Sequence, residues 1–414
     1  MLNLTLLQRE FLANLVKDNQ TLSFILQTLG HNLDQDLWPR LIGGCVRDAL
    51  LGIKPYDIDI ATPLNPEKVM NLFPQAKLIP IGISFGTIKI ILHNQECEIT
   101  TLRKDFGCDG RHTLVEFTND FQIDAKRRDF TINAISYCPF RDKLFDYFEG
   151  TKHLQEKKVL FIGDPKERIQ EDYLRIMRFF RFSAKYAKAI DQVGYEQCAK
   201  YAQNLSQISC ERIKIEFDKI LVQDKKIPIL SKMLAGNVLQ TILPELTFDL
   251  QMLEKSSSAS SAFNSTPSLE MNYASLLHQN DPITLLTTLK RQKFPKTTIN
   301  SILNLLERIS NLQTLNQLQN KLLVRHYKNY KIQEYAILAG CINSLPMQDI
   351  QNCIDATISL KREPMPINGL DLMNFGYKGE AIGIAISHLE QIWAQSRFTL
   401  SSEDLIKVAK NFKH

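Results

Sequence analysis

Residues 41–52 read LIGGCVRDALLG, and residues 56–62 read YDIDIAT. The short apolar run ends at Gly43 and Gly44, which let the backbone adopt a positive φ and approach a ligand closely. The segment after them predicts a short helix that Gly52 ends, and the free N–H groups at the start of such a helix favour an anion. The stretch therefore predicts a phosphate-binding turn.

Two carboxylates follow on a strand-like segment. Asp57 and Asp59 are two residues apart, so on a β-strand their side chains leave the same face. Carboxylates this close repel each other unless a cation lies between them, and oxygen ligands without nearby His or Cys favour Mg²⁺. A pair of such ions roughly 3.5–4 Å apart is the usual arrangement for attack of a hydroxyl on a phosphate. Each feature alone is typical of a turn or a solvated strand, but together they predict a magnesium site beside a phosphate site.

The combination GGxVRDxLLG…DxD resembles the signature of the nucleotidyltransferase superfamily. It has the form of the class II branch, which contains the bacterial and eukaryotic tRNA nucleotidyltransferases (CCA-adding enzymes) and the bacterial poly(A) polymerases. Residues 364–373 and the helix expected after them resemble the C-terminal element of alphaproteobacterial-type CCA tRNA nucleotidyltransferases.

The resemblance implies an α+β fold in three parts. An N-terminal nucleotidyltransferase (polymerase beta-like) mixed α/β head is expected at 1–150, a helical neck that recognises the base at 151–225, and a helical body and tail that bind tRNA at 226–414. It also implies catalytic, Mg²⁺-binding roles for Asp57 and Asp59, and it places three further residues in the nucleotide site: Gly43, Gly44 and Arg47.

Composition narrows the class of protein. The chain has 414 residues, 44% of them hydrophobic, which predicts two or more globular domains. The sequence has neither an apolar run long enough for a bilayer nor a secretory signal, and its eight cysteines show no metal-site or paired spacing. We therefore expect reduced, structural cysteines and a cytoplasmic protein without a membrane partner. The net charge of +5 permits a polyanionic partner without requiring one.

Glu98 interrupts a strand-like segment at 97–102. A charge in a buried strand needs a partner, and the resemblance implies that this acid completes the catalytic set with Asp57 and Asp59. The alternative is a glutamate on an edge strand facing solvent.

The polar loop at 103–120 is rich in charge and glycine. In the CCA-adding enzymes it resembles, a flexible loop here is associated with the switch from adding C to adding A, which points to Asp109, Gly110 and Arg111. A plain surface loop predicts the same composition.

Residues 127–134 read RRDFTINA, which matches the family's ribose motif. If the segment is helical, Asp129 and Asn133 are neighbours at i and i+4, and they would bind the ribose hydroxyls while Arg128 binds a phosphate. The alternative is a capped amphipathic helix with surface arginines. Asp146, in a motif like the family's hinge, is expected to be structural.

Residues 171–182 read EDYLRIMRFFRF and predict one long amphipathic helix. From the residues alone, Glu171 and Arg175 are a helix-stabilising pair that contributes about 0.2–0.5 kcal/mol. The resemblance to the family's EDxxR motif instead implies a protein template, in which Asp172 accepts from the amino group of the base and Arg175 donates to its ring nitrogen. Glu171 would orient Arg175, and Arg178 would bind the triphosphate. Such a site accepts CTP and ATP and rejects GTP and UTP.

The rest of the chain predicts helices. Ser209 is expected to cap a helix that carries an Arg212–Glu216 pair, and Ser256–Ser261 is expected to be a linker. Basic residues of the helical half either hold tRNA phosphates or form an ordinary solvated face; these are Lys290, Arg291, Lys293, Lys296, Lys321, Arg325, Lys328 and Lys331.

The predicted function is template-independent addition of CCA to tRNA from CTP and ATP with release of pyrophosphate, without an obligatory protein partner. Two alternatives lie within the family: an enzyme that adds only the final A, and a poly(A) polymerase, whose G-R/K-R/K-F element is missing at 81–87. A non-catalytic RNA-binding protein is the alternative from another class, and the intact Asp57 and Asp59 argue against it. No phosphohydrolase signature occurs in the helical half.

Overall fold

The computed structural model describes residues 6–106, 114–307, 309, 312 and 314–412, with residues 6 and 7 described in their backbone only. The predicted loop residues Asp109, Gly110 and Arg111 lie outside this set. The chain forms two compact units, Met1–Ile242 and Leu243–His414. The finer division at 150 and 225 stays a prediction.

The first unit contains a seven-stranded sheet in the order β3-β4-β5-β2-β1-β8-β9, in which only β2 and β5 pair in parallel. A separate antiparallel pair is formed by β6 and β7. The strand bounds are β1 Arg40–Ile42, β2 Asp59–Thr62, β3 Lys77–Gly82, β4 Thr87–Leu92, β5 Gln95–Thr101, β6 Arg103–Phe106, β7 Leu114–Phe117, β8 Ser136–Cys138 and β9 Lys143–Phe145.

Strand β2 is central, and its register decides which acids meet. Asp59 lies directly beside Glu98 of β5 in the parallel pair, and neighbours in register point to the same face of a sheet. Because β5 lies between β4 and β2, the edge-strand alternative for Glu98 is wrong. A turn through His93 and Asn94, both with positive φ, joins β4 to β5.

Twelve helices are assigned in the described part of the first unit. Their bounds are α1 Leu6–Lys17, α2 Gln20–Gly30, α3 Gly44–Leu50, α4 Pro66–Leu72, α5 Phe121–Lys126, α6 Gly150–Gln155, α7 Pro165–Glu171, α8 Leu174–Tyr186, α9 Gln192–Lys200, α10 Cys210–Leu221, α11 Lys226–Ala235 and α12 Val238–Ile242.

The single helix predicted over 171–182 is wrong, because α7 ends at Glu171 and α8 begins at Leu174. Asp172 between them is extended, with φ −154° and ψ 106°. Its side chain accepts from the backbone N–H of Leu174 at 3.1 Å, and such a local bond competes with helix formation. Asp172 therefore lies at a helix junction and not on a helix face.

An aromatic cluster joins the segment after α5 to helix α8. Phe130 packs against Phe161 at 4.9 Å and against Phe182 at 5.3 Å between ring centroids, and Phe161 stacks on Phe179 at 5.4 Å. Phe130 and Phe179 are fully buried. This cluster fixes the RRDFTINA segment against the helices that carry the EDxxR residues.

The described part of the second unit is helical, as predicted. Its helices are α13 Leu250–Ala262, α14 Leu269–Leu277, α15 Pro282–Arg291, α16 Lys296–Leu306, α17 Leu315–Tyr327, α18 Ile332–Asn343, α19 Met347–Ile358, α20 Gly369–Asn374, α21 Glu380–Gln395 and α22 Ser402–Asn411. No helix in the described ranges is long and apolar enough to cross a membrane.

The serine-rich segment 256–261 is not a linker but the last half of α13. Ser257 and Ser260 donate to backbone carbonyls one turn back at 2.7 and 2.9 Å, which satisfies their hydroxyls inside a helix. Ser256 is buried and meets Ser275 of α14 at 2.8 Å between hydroxyl oxygens. Small side chains whose hydroxyls are already hydrogen-bonded let the two helices pack closely.

The contacts of Asp146 fit its predicted structural role. Its carboxylate accepts from the backbone N–H groups of Gly150 and Thr151, both at 2.8 Å, and from the Thr151 hydroxyl at 2.7 Å. It thereby satisfies donors at the start of α6.

Asp146→Ala should lower the free energy of unfolding by about 1–3 kcal/mol, because half-buried donors lose their acceptor. Urea unfolding measures the change. Asp164→Ala is the matched control, since Asp164 is exposed and caps α7 through one backbone N–H at 2.9 Å, a change that costs about 1 kcal/mol. A loss for Asp146→Ala no larger than for the control would contradict the assignment.

Candidate active site

The glycine turn at the start of α3 has the predicted backbone. Gly43 has φ +69°, and its N–H donates to the Ile135 carbonyl at 3.1 Å. A Cβ at this position would lie 3.1 Å from a guanidinium nitrogen of Arg128. Gly43 therefore lets Arg128 lie directly over the turn.

The predicted acids meet at the start of β2. Asp59 is half-buried at the first position of the strand, and Asp57 is exposed just before the strand begins. The prediction that both lie on one strand is therefore wrong. Burial raises the pKa of Asp59 to about 6; Arg128 opposes the shift, while Glu98 and Asp57 add to it. The site thus holds three acids in electrostatic contact with a shortage of nearby positive charge.

This excess of negative charge fits a cation. In the described residues, no three His, Cys, Asp or Glu side chains stand close enough to hold a metal ion on their own. Asp57 and Asp59 could hold a hard divalent cation such as Mg²⁺, which keeps waters and takes substrate phosphates as its remaining ligands; their role as metal ligands stays a prediction.

The RRDFTINA segment is not a helix. Phe130 is extended and bridges to Phe161, and Thr131–Asn133 forms a single 3-10 turn. The predicted neighbours still meet, since the Asn133 amide donates to Asp129 at 2.9 Å. The turn, and not helical spacing, brings them together.

Asp129 is buried and engaged by protein donors. Arg178 donates to its second oxygen at 2.6 Å. Burial alone would raise the pKa of Asp129, but Arg178 and Asn133 outweigh burial and hold it at about 2. Asn133 in turn accepts from Arg47 at 2.5 Å. The predicted ribose ligands therefore also orient two of the predicted nucleotide-binding arginines.

The EDxxR residues lie at the junction of α7 and α8. Glu171 accepts from Arg175 at 2.5 Å, a contact that both the template interpretation and the helix-stabilising pair predict. Arg175 also donates to the Arg168 carbonyl at 2.7 Å. Asp172 accepts from Arg212 at 3.1 Å, in addition to its bond to the Leu174 backbone.

The predicted Arg212–Glu216 pair on α10 is wrong. Arg212 pairs with Asp172, while Glu216 is buried and pairs with Arg181 at 3.1 Å. These partners replace the pair within α10, because packing brings Arg181 of α8 and Asp172 of the α7–α8 junction within reach.

Arg168 is a positioning residue that the sequence reasoning missed. It is buried, donates to Glu171 at 2.5 Å and to the Arg128 carbonyl at 2.6 Å, and also bonds the Arg127 carbonyl. Its only sequence signal is a spacing of three residues from Glu171. It fixes the RRDFTINA backbone to the carboxylate that orients Arg175.

These elements line one cavity of about 520 Å³, which we call the nucleotide cavity. Six arginines and four aspartates line it, so its net charge suits a polyphosphate. Glu98 and Glu171 do not line the cavity. Glu98 lies beside Asp59 on the neighbouring strand, and Glu171 accepts a hydrogen bond from Arg175. The predicted lining residues are Gly43, Gly44, Arg47, Asp57, Asp59, Arg128, Asp129, Asn133, Asp172, Arg175 and Arg178, and the unpredicted ones are Arg127, Arg181 and Phe182.

Comparison with known proteins agrees with this geometry. Residues 39–160 match the family model described as Poly A polymerase head domain, and residues 189–250 match the one described as probable RNA and SrmB-binding site of polymerase A. Human mitochondrial CCA tRNA nucleotidyltransferase 1 is 34% identical over 383 residues, covering 90% of this chain and 86% of the human protein. The chain belongs to the class II CCA-adding enzyme family.

The chain is also similar to two bacterial CCA-adding enzymes. The CCA-adding enzyme of Lactococcus lactis is 40% identical over 186 residues, 44% of this chain and 46% of that protein. The structure of Bacillus stearothermophilus CCA-adding enzyme in complex with CTP matches with a TM-score of 0.71 at 24% identity, covering 95% of this chain and 98% of that one. The predicted α+β fold is confirmed.

Gly43→Ala should weaken CTP binding by about tenfold, because a Cβ there displaces Arg128, the predicted phosphate ligand, and would cost a charge-assisted hydrogen bond. Isothermal titration calorimetry measures the affinity. Gly52→Ala is the matched control: Gly52 also has positive φ, at +71°, but a Cβ there meets nothing within 4 Å.

Both variants should lose about 1–2 kcal/mol of unfolding free energy from the left-handed backbone. Only Gly43→Ala should lose nucleotide affinity, and equal CTP affinity in the two variants would contradict the role of the turn.

Proposed function

We propose that this chain is a template-independent tRNA nucleotidyltransferase that adds CCA to tRNA 3′ ends from CTP and ATP and releases pyrophosphate. One observation carries the proposal: a single cavity brings together the glycine turn, the acids Asp57 and Asp59, and the base-selecting pair Asp172 and Arg175. The reaction joins the 3′-hydroxyl oxygen of tRNA to the α-phosphorus, breaks the bond to pyrophosphate, and releases the hydroxyl proton.

Side chains in place of a template strand would choose the base. Cytosine and adenine each present an amino donor beside a ring-nitrogen acceptor, which Asp172 and Arg175 complement. Uracil and guanine present a carbonyl beside a ring N–H. The ring N–H would then face the donor Arg175, and the carbonyl would face the acceptor Asp172. Mismatched polar groups in a closed site discriminate strongly.

The chain's own residues would hold the triphosphate and the base. Asn133 and Asp129 hold Arg47 and Arg178 toward the nucleotide cavity through the contacts described above. Gly43 leaves room for Arg128, whose guanidinium bonds Asp124 at 3.3 Å. Preset cations bind phosphates without reorganisation, which favours the transition state. Asp129 and Asn133 would meet the ribose from the wall of the cavity.

Nucleotidyltransferases use divalent metal ions, and we assign Mg²⁺ to Asp57 and Asp59, with Glu98 supporting Asp59 from the next strand. The ion, when bound, would polarise the α-phosphate and ease deprotonation of the attacking hydroxyl. Since the pKa of Asp59 is about 6, the proton competes with a cation below that pH. A cytoplasmic location and the absence of an obligatory protein partner stay predictions.

The test uses tRNA transcripts that end at the discriminator base, at C, or at CC, with CTP, ATP or both. Three additions that stop at CCA support the proposal, read as 3′ extension at single-nucleotide resolution. Extension of the CC-ending transcript alone would identify an enzyme that adds only A, and an unbounded A tail would identify a poly(A) polymerase.

Asp59→Ala separates an enzyme from a non-catalytic RNA-binding protein. The variant should lose activity by at least about 10³-fold while keeping its affinity for tRNA, because a metal ligand is lost but the helical unit is intact. Glu96→Gln is the control, since Glu96 is an exposed acid of β5 that pairs with Lys89 at 3.1 Å. Unchanged tRNA maturation by Asp59→Ala would favour the RNA-binding protein.

A further inference from the structure

A second cavity of about 360 Å³ shares both catalytic aspartates with the nucleotide cavity. It contains neither Asp172 nor Arg175, the pair that would select the base. Its distinctive lining residues are Tyr56, Lys185 and Lys219. The two cavities therefore meet at Asp57 and Asp59 and differ in what they offer a ligand.

Tyr56 is the aromatic residue of the second cavity that faces solvent. Its exposed fraction is 99%, and it immediately precedes Asp57. A fully exposed tyrosine contributes nothing to the core, but its ring is a surface on which a nucleobase can stack. Its position beside a catalytic acid places such a base next to the chemistry.

Two lysines supply positive charge to the same cavity. The ammonium of Lys219 on α10 is exposed and forms no ion pair within the described ranges. Lys185 on α8 has a side chain 42% exposed, and its ion pair with Asp48 is long, at 3.9 Å. Both ammonium groups are available to phosphates of a nucleic-acid backbone, which such contacts position without reading sequence.

We propose that the second cavity binds the 3′-terminal nucleotide of the acceptor RNA. Tyr56 stacks on its base, and Lys185 and Lys219 contact its backbone phosphates. This inference rests on the proposed function. In-line transfer requires the attacking hydroxyl and the leaving pyrophosphate to lie on opposite sides of the α-phosphorus. A second cavity that reaches the same aspartates offers the acceptor end such an approach.

The lining of the second cavity suits a terminal nucleotide whose base changes during the reaction. During CCA addition the terminal nucleotide is first the discriminator base and then C, so its site must accept different bases. An aromatic face stacks on any base, and ammonium groups bind any phosphate. The nucleotide cavity, with its hydrogen-bonding pair, has the opposite property.

Steady-state kinetics with Tyr56→Ala tests the assignment. The KM for a tRNA lacking CCA should rise about tenfold, which is within the range for loss of one stacked base, while the KM for CTP stays within about twofold. Tyr56→Phe keeps the ring and should behave like the unmodified protein. Thermal unfolding of both variants should be unchanged because the side chain is exposed.

A tRNA KM unaffected by Tyr56→Ala, or a rise in the CTP KM instead, would overturn the proposal. Lys219→Gln gives an independent arm: it should raise the tRNA KM and reduce the salt dependence of tRNA binding, as loss of one phosphate contact does.

A photocrosslink measured without metal or nucleotide provides a readout besides activity. A tRNA with a photoreactive 3′-terminal nucleotide should attach to the segment containing Tyr56, and attachment to residues 172–178 would overturn the proposal. Failure of the unmodified protein to add CCA would refute the proposed function itself, whereas CCA addition with a wrong crosslink would refute only the cavity assignment.

Discussion

The carboxylate of Glu171 connects helix α8 to the RRDFTINA segment. It accepts from both Arg168 and Arg175 at 2.5 Å, and Arg168 also binds the carbonyls of Arg127 and Arg128. One acid thus connects the proposed base-selecting guanidinium with the segment that carries proposed nucleotide ligands. Removing Glu171 would leave the guanidiniums of Arg168 and Arg175 facing each other, and solvent would screen part of that repulsion because the Glu171 side chain is 34% exposed.

Within the described residues, the acids at the start of β2 lack such a neutralising partner. Asp59 lies beside Glu98 and near Asp57, and burial with these neighbours raises its pKa to about 6. At one end of the nucleotide cavity every charge has a partner, and at the other end negative charge is left in excess. A rigid, neutralised recognition end beside an acidic end that requires a cation is the arrangement expected where positioning and electrostatics supply catalysis. The buried Asp129–Arg178 pair, at 2.6 Å, ties the two ends to helix α8.

Sequence reasoning located the site wherever a residue's local geometry carries the function. The positive φ of Gly43 and the proximity of the acids at 57 and 59 follow from short-range patterns, whereas Asp129 contacts Asn133 through a 3-10 turn in place of the predicted helix. The sequence predictions failed where contacts between distant parts of the chain decide the local structure or the pairing of charges. Helical periodicity gave no sign that the Asp172 side chain breaks the helix, and Arg212 pairs across to Asp172 and not within α10. Arg168 has backbone carbonyls as partners, and a sequence pattern does not display these. Serines 256–261 belong to α13, where buried Ser256 packs against Ser275 of α14, a contact that composition does not display.

The central claim is that one cavity joins a metal-binding pair of carboxylates to a protein template for the base. A crystal structure with Mn²⁺ and a non-hydrolysable CTP analogue tests it most directly. We expect an anomalous peak about 2.0–2.2 Å from carboxylate oxygens of Asp57 and Asp59, with the cytosine amino group on Asp172 and its ring nitrogen on Arg175, each within about 3.2 Å. A cytosine bound away from these two side chains, or an ion that ignores both aspartates, would contradict it.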